Sequence, residues 1–205
     1  MKLSSHLKSI YTQLIATAIL AGGIGQSYAA VTIPNTFSAG TPAVAAQVND
    51  NFTAVGNQMP AVKQVPATDW ITGVSTTSAN LQSITITPPG SGFVIVTASG
   101  TVTYNYTTGT SAEICMDLGI ISADTSGCSP AGSPAANVAF RSFLPSTFPS
   151  SDIYGYSATY SLVNVFPVTA GVAQSYYLNG FATGTSSTAL FHPILTVLFV
   201  PNALP

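Results

Sequence analysis

From Gly92 to Tyr104 the chain alternates apolar and hydroxylated positions. Val94, Val96, Ala98, Val102 and Tyr104 fall on one face, and Thr97, Ser99, Thr101 and Thr103 on the other. Successive side chains of a strand point to opposite sides, so this run predicts a half-buried β-strand. Comparable runs lie at Leu81–Thr87, Glu113–Ile121, Ile153–Val168, Val172–Phe181 and Ala189–Val200. Stretches rich in Ser, Gly and Pro separate them, the longest being Ser122–Ser151. About eight short strands with regular turn signals predict an all-β sandwich or barrel. Parallel pairing needs crossover helices, and the pattern offers none.

The last run differs. Ile194-Leu-Thr-Val-Leu-Phe-Val is apolar on both faces, whereas the outer face of a sandwich strand is normally polar. Its outer face should therefore be covered, most economically by another subunit, with a long loop folded over the sheet as the alternative. This places Leu195, Val197 and Phe199 at an oligomer interface.

One helical stretch stands out, at Phe37–Val55. Thr41 suits an N-cap and Pro42 the first helical position. Ala45, Val48, Phe52, Val55, Met59 and Val62 then recur at alternating spacings of three and four, an a/d seam of nearly three heptads. A lone helix this short needs a partner surface. That surface is the chain's own head or another copy, and the narrow seam favours another copy, with Val48, Phe52 and Val55 in the interface.

Met1–Thr12 carries Lys2 and Lys8 without an acid, Leu14–Ile24 is apolar, and Ser27-Tyr28-Ala29 supplies small residues before a cleavage point. This reads as a signal peptide cut after Ala29, too short to span a bilayer. The expected organisation is therefore a leader over 1–29, an extension with an amphipathic helix over 30–66, and a β-sandwich over 67–205.

Composition narrows the function. Only 5% of residues are charged, with four Lys and Arg against six Asp and Glu, far below the ~25% of an average domain. Beyond the leader, Lys63 and Arg141 are the only basic residues. That excludes nucleic-acid binding, which needs phosphate neutralisation, and polybasic membrane attachment. The apolar and aromatic content argues against disorder. In an exported chain, Cys115 and Cys128 read as a local disulfide.

Two resemblances extend this reading. The segment Gly40–Phe52, with its G-T-P-A-x-A-A-x-V-N-x-N-F pattern, resembles a segment near the N-terminus of secreted bacterial and phage-fibre-like proteins. Trp70–Pro205 resembles the complement-type globular head and tumour-necrosis-factor-like jelly roll. The matching runs are Gly-Phe-Val-Ile-Val at Gly92–Val96, the run from Pro167-Val-Thr-Ala-Gly to Tyr-Tyr-Leu-Asn-Gly ending at Gly180, and the apolar strand Leu195–Val200. The resemblance implies a jelly-roll homotrimer packed about an axis by apolar strands. It implies no single function, and the collagen-like G-X-Y stalk of many relatives is absent from this sequence.

Chemistry is sparse. His192, the only histidine beyond the leader, precedes Pro193, and Gly127-Cys-Ser-Pro-Ala lacks the second glycine of a nucleophile elbow, so His192 reads as structural. Glu113 and Asp117 share a strand face, but two surface carboxylates do not make a glycosidase. With Asp124 they are candidate Ca²⁺ ligands around the disulfide loop, by ligand type alone. Trp70, Tyr154, Tyr156 and Tyr160 are candidate sugar-stacking residues, although tyrosines also serve cores and interfaces. No cofactor is expected. The sequence thus points away from an enzyme, toward a secreted structural or adhesive homotrimer, with a glycan-binding module of the same fold as the alternative.

Overall fold

The computed structural model describes residues 33–65, 70–72, 74–128, 137–150 and 155–202. The leader expected at Met1–Ala29 and the candidate Tyr154 lie outside the described residues.

The two longest strands are β4 (Gly92–Tyr106) and β9 (Thr185–Pro201), and they pair side by side. On β4 the expected inner positions Val94, Val96, Ala98 and Val102 are wholly buried. Around this pair stand β1 (Ala61–Val65) and β2 (Trp70–Thr72), both on the far side of β9, and β7 (Tyr156–Val168) on the far side of β4. The second sheet holds β3 (Ala79–Ile86), β5 (Ala112–Gly119), β6 (Val138–Leu144) and β8 (Gln174–Thr183). The orders are β1-β9-β4-β7 and β3-β8-β5-β6, and every pairing is antiparallel. Consecutive strands mostly alternate between the sheets, which is the connectivity of a jelly-roll sandwich.

The core lies between the sheets. Leu195, Val197 and Phe199 of β9 pair in register with Ala98, Val96 and Val94 of β4, and all six are fully buried. Ile114, Met116 and Leu118 of β5 and Tyr176 and Leu178 of β8 meet them from the other sheet. Phe166 of β7 and Tyr176 stack across the gap with ring centroids 5.1 Å apart. The interface assignment of Leu195, Val197 and Phe199 is therefore corrected. These side chains are consumed inside one chain, because β9 is a central strand whose odd positions face the core. Ile194, Thr196, Leu198 and Val200 take the outer face.

A bulge interrupts β9. The register jumps from Ser99↔Ile194 to Thr101↔Phe191, so His192 and Pro193 oppose Gly100 alone. His192 has φ of 46°, a left-handed conformation costly for a residue with a side chain. The bulge is what admits a proline, which has no N–H to give the ladder, into a central strand. Buried Gln82 of β3 donates its Nε2 to the Pro193 carbonyl at 3.0 Å, tying one sheet to the bulge of the other.

Three expectations shift at the edges. The helix α1 runs over Ala45–Asn57, starting later than expected, with Val44 at its N-cap and no side-chain cap. Thr41 instead closes the preceding turn by donating Oγ1 to the Ser38 carbonyl. Val62 is not helical but sits in β1, so the sheet begins inside the segment assigned to the extension. The presumed loop Ser122–Ser151 contains β6, which hid because polar Ser142 shares a side with Phe140 and Leu144 while Phe143 stands exposed.

Candidate functional site

The outer face of the β1-β9-β4-β7 sheet is the most unusual surface among the described residues. Because even positions of β4 fill the core, odd positions face away from it. Register then aligns side chains across the strands. One row runs Val62, Leu198, Ile95, Val165, and the next Val200, Phe93, Pro167. On the other side Val163 joins Gln64, Thr196 and Thr97. None of these residues is charged, and Val62 (68%) and Val165 (52%) are exposed, as are Phe93 and Val163. A contiguous apolar area of this kind marks a surface meant to be covered. Farther along, the face turns to paired hydroxyls, Ser99 with Ser161, Thr101 with Thr159 and Thr103 with Ser157. Of the expected helical interface residues, Val48 and Val55 are half-buried and Phe52 is 72% exposed.

The opposite sheet has its outer face sealed by its own chain. Cys115 and Cys128 form the expected disulfide, with Cα atoms 6.1 Å apart. It draws the loop after β5 back over Cys115 and Asp117, both wholly buried. Asp117 Oδ2 accepts the Gly127 N–H at 2.8 Å and the Asn137 amide at 3.4 Å. A Cβ at Gly127 would lie 2.9 Å from that same carboxylate oxygen, so a larger residue here would displace the buried carboxylate. Asn137 also donates to Asp124 Oδ2 at 3.1 Å, while Asp124 Oδ1 accepts the Ser126 N–H at 2.9 Å. Asn179, directly opposite Asp117 on β8, accepts the Ala123 N–H and donates to the carbonyls of Ile121 and Asp124.

This network closes a loop, with Asp117 Oδ2 bonded and Oδ1 buried without a hydrogen-bond partner among the described residues. Burial pushes the Asp117 carboxyl up to about 6, against the pull of Gly127 and Asn137. The Ser126 N–H, foremost, holds Asp124 below the usual carboxylate range. Glu113, the third candidate for Ca²⁺, stands apart from these two. It pairs with Arg141 of β6 at 2.7 Å, four residues down the strand from Asp117. Among the described residues no group of three His, Cys, Asp or Glu is placed to hold a metal ion. Asn137 and Asn179, which with the Gly127 N–H do the binding in this cluster, are not among the candidates read from sequence. The signal there is Asn179, an amide inside the otherwise apolar run Tyr176–Ala182.

Of the candidate sugar-stacking residues, Tyr156 and Tyr160 have described side chains, and both serve packing. Tyr160 is buried in the core beside Phe140, its phenol pushed well up by burial and its hydroxyl unpartnered. Tyr156 packs edge-on against Phe148 at 5.0 Å and Tyr106 at 6.4 Å, and donates its hydroxyl to the Pro149 carbonyl. The backbone of Trp70 opens β2, opposite Phe191. An unpartnered buried hydroxyl costs about 1–3 kcal/mol. Tyr160→Phe should therefore raise stability by about 1 kcal/mol, read as a higher urea midpoint; a lower midpoint would mean that the hydroxyl has a partner.

Strand order defines the class: the two four-strand paths form an antiparallel jelly-roll sandwich, with β2 added beside β9. No family model and no curated protein matches the chain. Among solved structures it is similar to that of the infectious bursal disease virus Gx strain, at 14% identity and a TM-score of 0.43, over 72% of this chain and 33% of that one. It is also similar to Eiger TNF from S. frugiperda, at 5% identity and a TM-score of 0.37, over 71% of this chain and 96% of that one. The chain thus spans about a third of the length of the viral protein.

Proposed function

We propose that this chain is an exported structural or adhesive protein that assembles as a homotrimer through the outer face of the β1-β9-β4-β7 sheet. The observation that carries this reading is the pair of uncharged apolar rows, Val62-Leu198-Ile95-Val165 and Val200-Phe93-Pro167, in which Val62, Val165, Val200 and Phe93 are exposed among the described residues. Charged groups are depleted from the centres of protein interfaces, as they are here. Closed cyclic assembly covers such a face on every copy without leaving a growing end. The disulfide suits an oxidising compartment, in keeping with a leader at Met1–Ala29. No helix among the described residues is long and apolar enough to cross a membrane. An architectural role is supported by the engagement of two of the chain's carboxylates, Asp117 being buried and Glu113 paired with Arg141. No observation favours the glycan-binding alternative, since Tyr156 and Tyr160 are engaged in packing.

Absolute mass from light scattering after gel filtration tests this. The chain from Ala30 onward should elute at about three protomer masses, and Val165→Glu, which places a charge in the middle of the face, should elute as a folded monomer. A wild-type monomer at working concentration sinks the proposal.

A further inference from the structure

Among the described residues the arm that precedes the sheet is only partly covered. Helix α1 contains no buried residue, and Phe52, Met59, Val44, Phe37 and Ile33 are all exposed. A helix of 13 residues is marginal in water unless it covers something. The arm is nevertheless organised. Asn35 donates its N–H to Asn51 Oδ1 at 2.9 Å, Asn51 Nδ2 returns a bond to the Asn35 carbonyl at 2.8 Å, and Asn35 Nδ2 reaches the Gln47 carbonyl at 3.2 Å. The extended segment and the helix therefore form one clasped unit that owes little to the head. Asp50 is its only charged residue between Ile33 and Pro60.

A helical bundle is a poor home for it. The helix ends at Asn57, short of two heptads, so Met59 and Val62 fall outside the seam. A flat apolar surface suits it better, and the molecule has one large enough to hold it. From Val48 to Val55 the stripe is ~11 Å long at helical rise. The apolar rows cross four strands, ~14 Å, and extend over about two residue pairs, ~13 Å, along them. The arm and the rows also meet at the same end of the head. The Asn57 carbonyl lies against Gly90, where any Cβ would strike it, and Ser91 accepts the Asn202 N–H just beyond Phe93 and Val200. Yet among the described residues Phe52 and Met59 of the arm and Val62 and Val165 of the rows remain exposed.

We infer that α1 of one copy packs its Val48, Phe52 and Val55 stripe onto the Val62-Leu198-Ile95-Val165 rows of a neighbouring copy, so that the trimer is held by exchanged arms. This rests on the proposed homotrimer and names which surface meets which. The helix gains the cover it lacks, the sheet face is shielded, and neither partner brings a charge into the contact.

Engineered cysteines in the full chain test it. The double variant Phe52→Cys/Val165→Cys should run as a covalent trimer on a non-reducing gel after mild oxidation, while each single variant runs as a monomer. Self-linking of Phe52→Cys alone would show helix against helix and overturn the inference. So would a double variant that scatters light as a trimer but runs as a monomer on the gel. A monomer by light scattering would sink the trimer as well, which separates the two failures. As a second readout, Phe52→Glu should raise the concentration for half-assembly about tenfold or more, as loss of a buried aromatic anchor does. An unchanged assembly concentration would overturn the arm's role.

Discussion

Phe199→Ala should destabilise the head by about 3–5 kcal/mol, the usual cost of deleting a buried aromatic ring, and the loss should be the same whether the protein is assembled or not. Phe199 is fully buried within one chain, in register with Val94 of β4 and Ala61 of β1. Truncating it leaves a void between the sheets that neighbouring strands close only in part. Its pleat neighbour Leu198 points the other way, into the row with Val62, Ile95 and Val165. One residue of offset thus separates a core position from a surface one.

The decisive comparison pairs this change with Val165→Glu. Under the proposed assembly, stability measured in the Val165→Glu background reports the isolated chain, because the charge on the outer face would block association. If Phe199 belonged to an interface, its truncation would cost nothing there. For a core residue the full cost persists, and the two changes add, as independent sites do. Urea midpoints must be compared at one protein concentration, since assembly itself stabilises the assembled form. A Phe199→Ala loss that vanishes in the Val165→Glu background would return β9 to the interface.

The same offset explains what could be read from the sequence. Strand β4 was legible because its inner positions are aliphatic and its outer ones largely hydroxylated, so periodicity alone assigns Val94 and Val96 to the core. Strand β9 announced a buried position but not which face did what, because both of its faces are apolar and only pairing on both sides resolves them. Strand β6 was invisible for the opposite reason, with Arg141 and Ser142 breaking the apolar run and Phe143 outside. The disulfide followed from count and spacing. The polar cluster beneath its loop did not, because Asn137 and Asn179 reach Asp117 and the loop carbonyls only through pairing of β5 with β6 and β8. The apolar rows needed the register of four strands before Val62 and Val165 could be seen as members of one surface.

That polar cluster carries the second large effect. Asp117→Asn should abolish a fall in stability that the wild-type protein shows between pH about 4 and about 6. Burial raises the Asp117 carboxyl from 3.8 to about 6, so the folded chain holds this proton more tightly than the unfolded chain. Across that interval the folded state is protonated where the unfolded state is not, and stability therefore drops as pH rises. The drop is complete above about 6 and amounts to about 3 kcal/mol. No cation offsets the charge: Arg141 is engaged with Glu113, and Asn137, Gly127 and Asn179 are neutral. Asp124 is the other acid in the cluster and adds to the upward push. Its own carboxyl is lowered, so it works in the opposite sense, supplying stability that is lost only as pH falls below the ordinary carboxylate range. An asparagine at 117 keeps an acceptor for the Gly127 N–H but cannot ionise. Urea midpoints taken from pH 4 to pH 7 should then fall for the wild type and stay level for the variant, which becomes the more stable of the two at neutral pH. Parallel curves would mean that the buried carboxylate ionises without penalty. The loop would then owe its place to the disulfide, to Asn179 and to the bonds of Ser78 with Thr125 and Asn137 with Asp124.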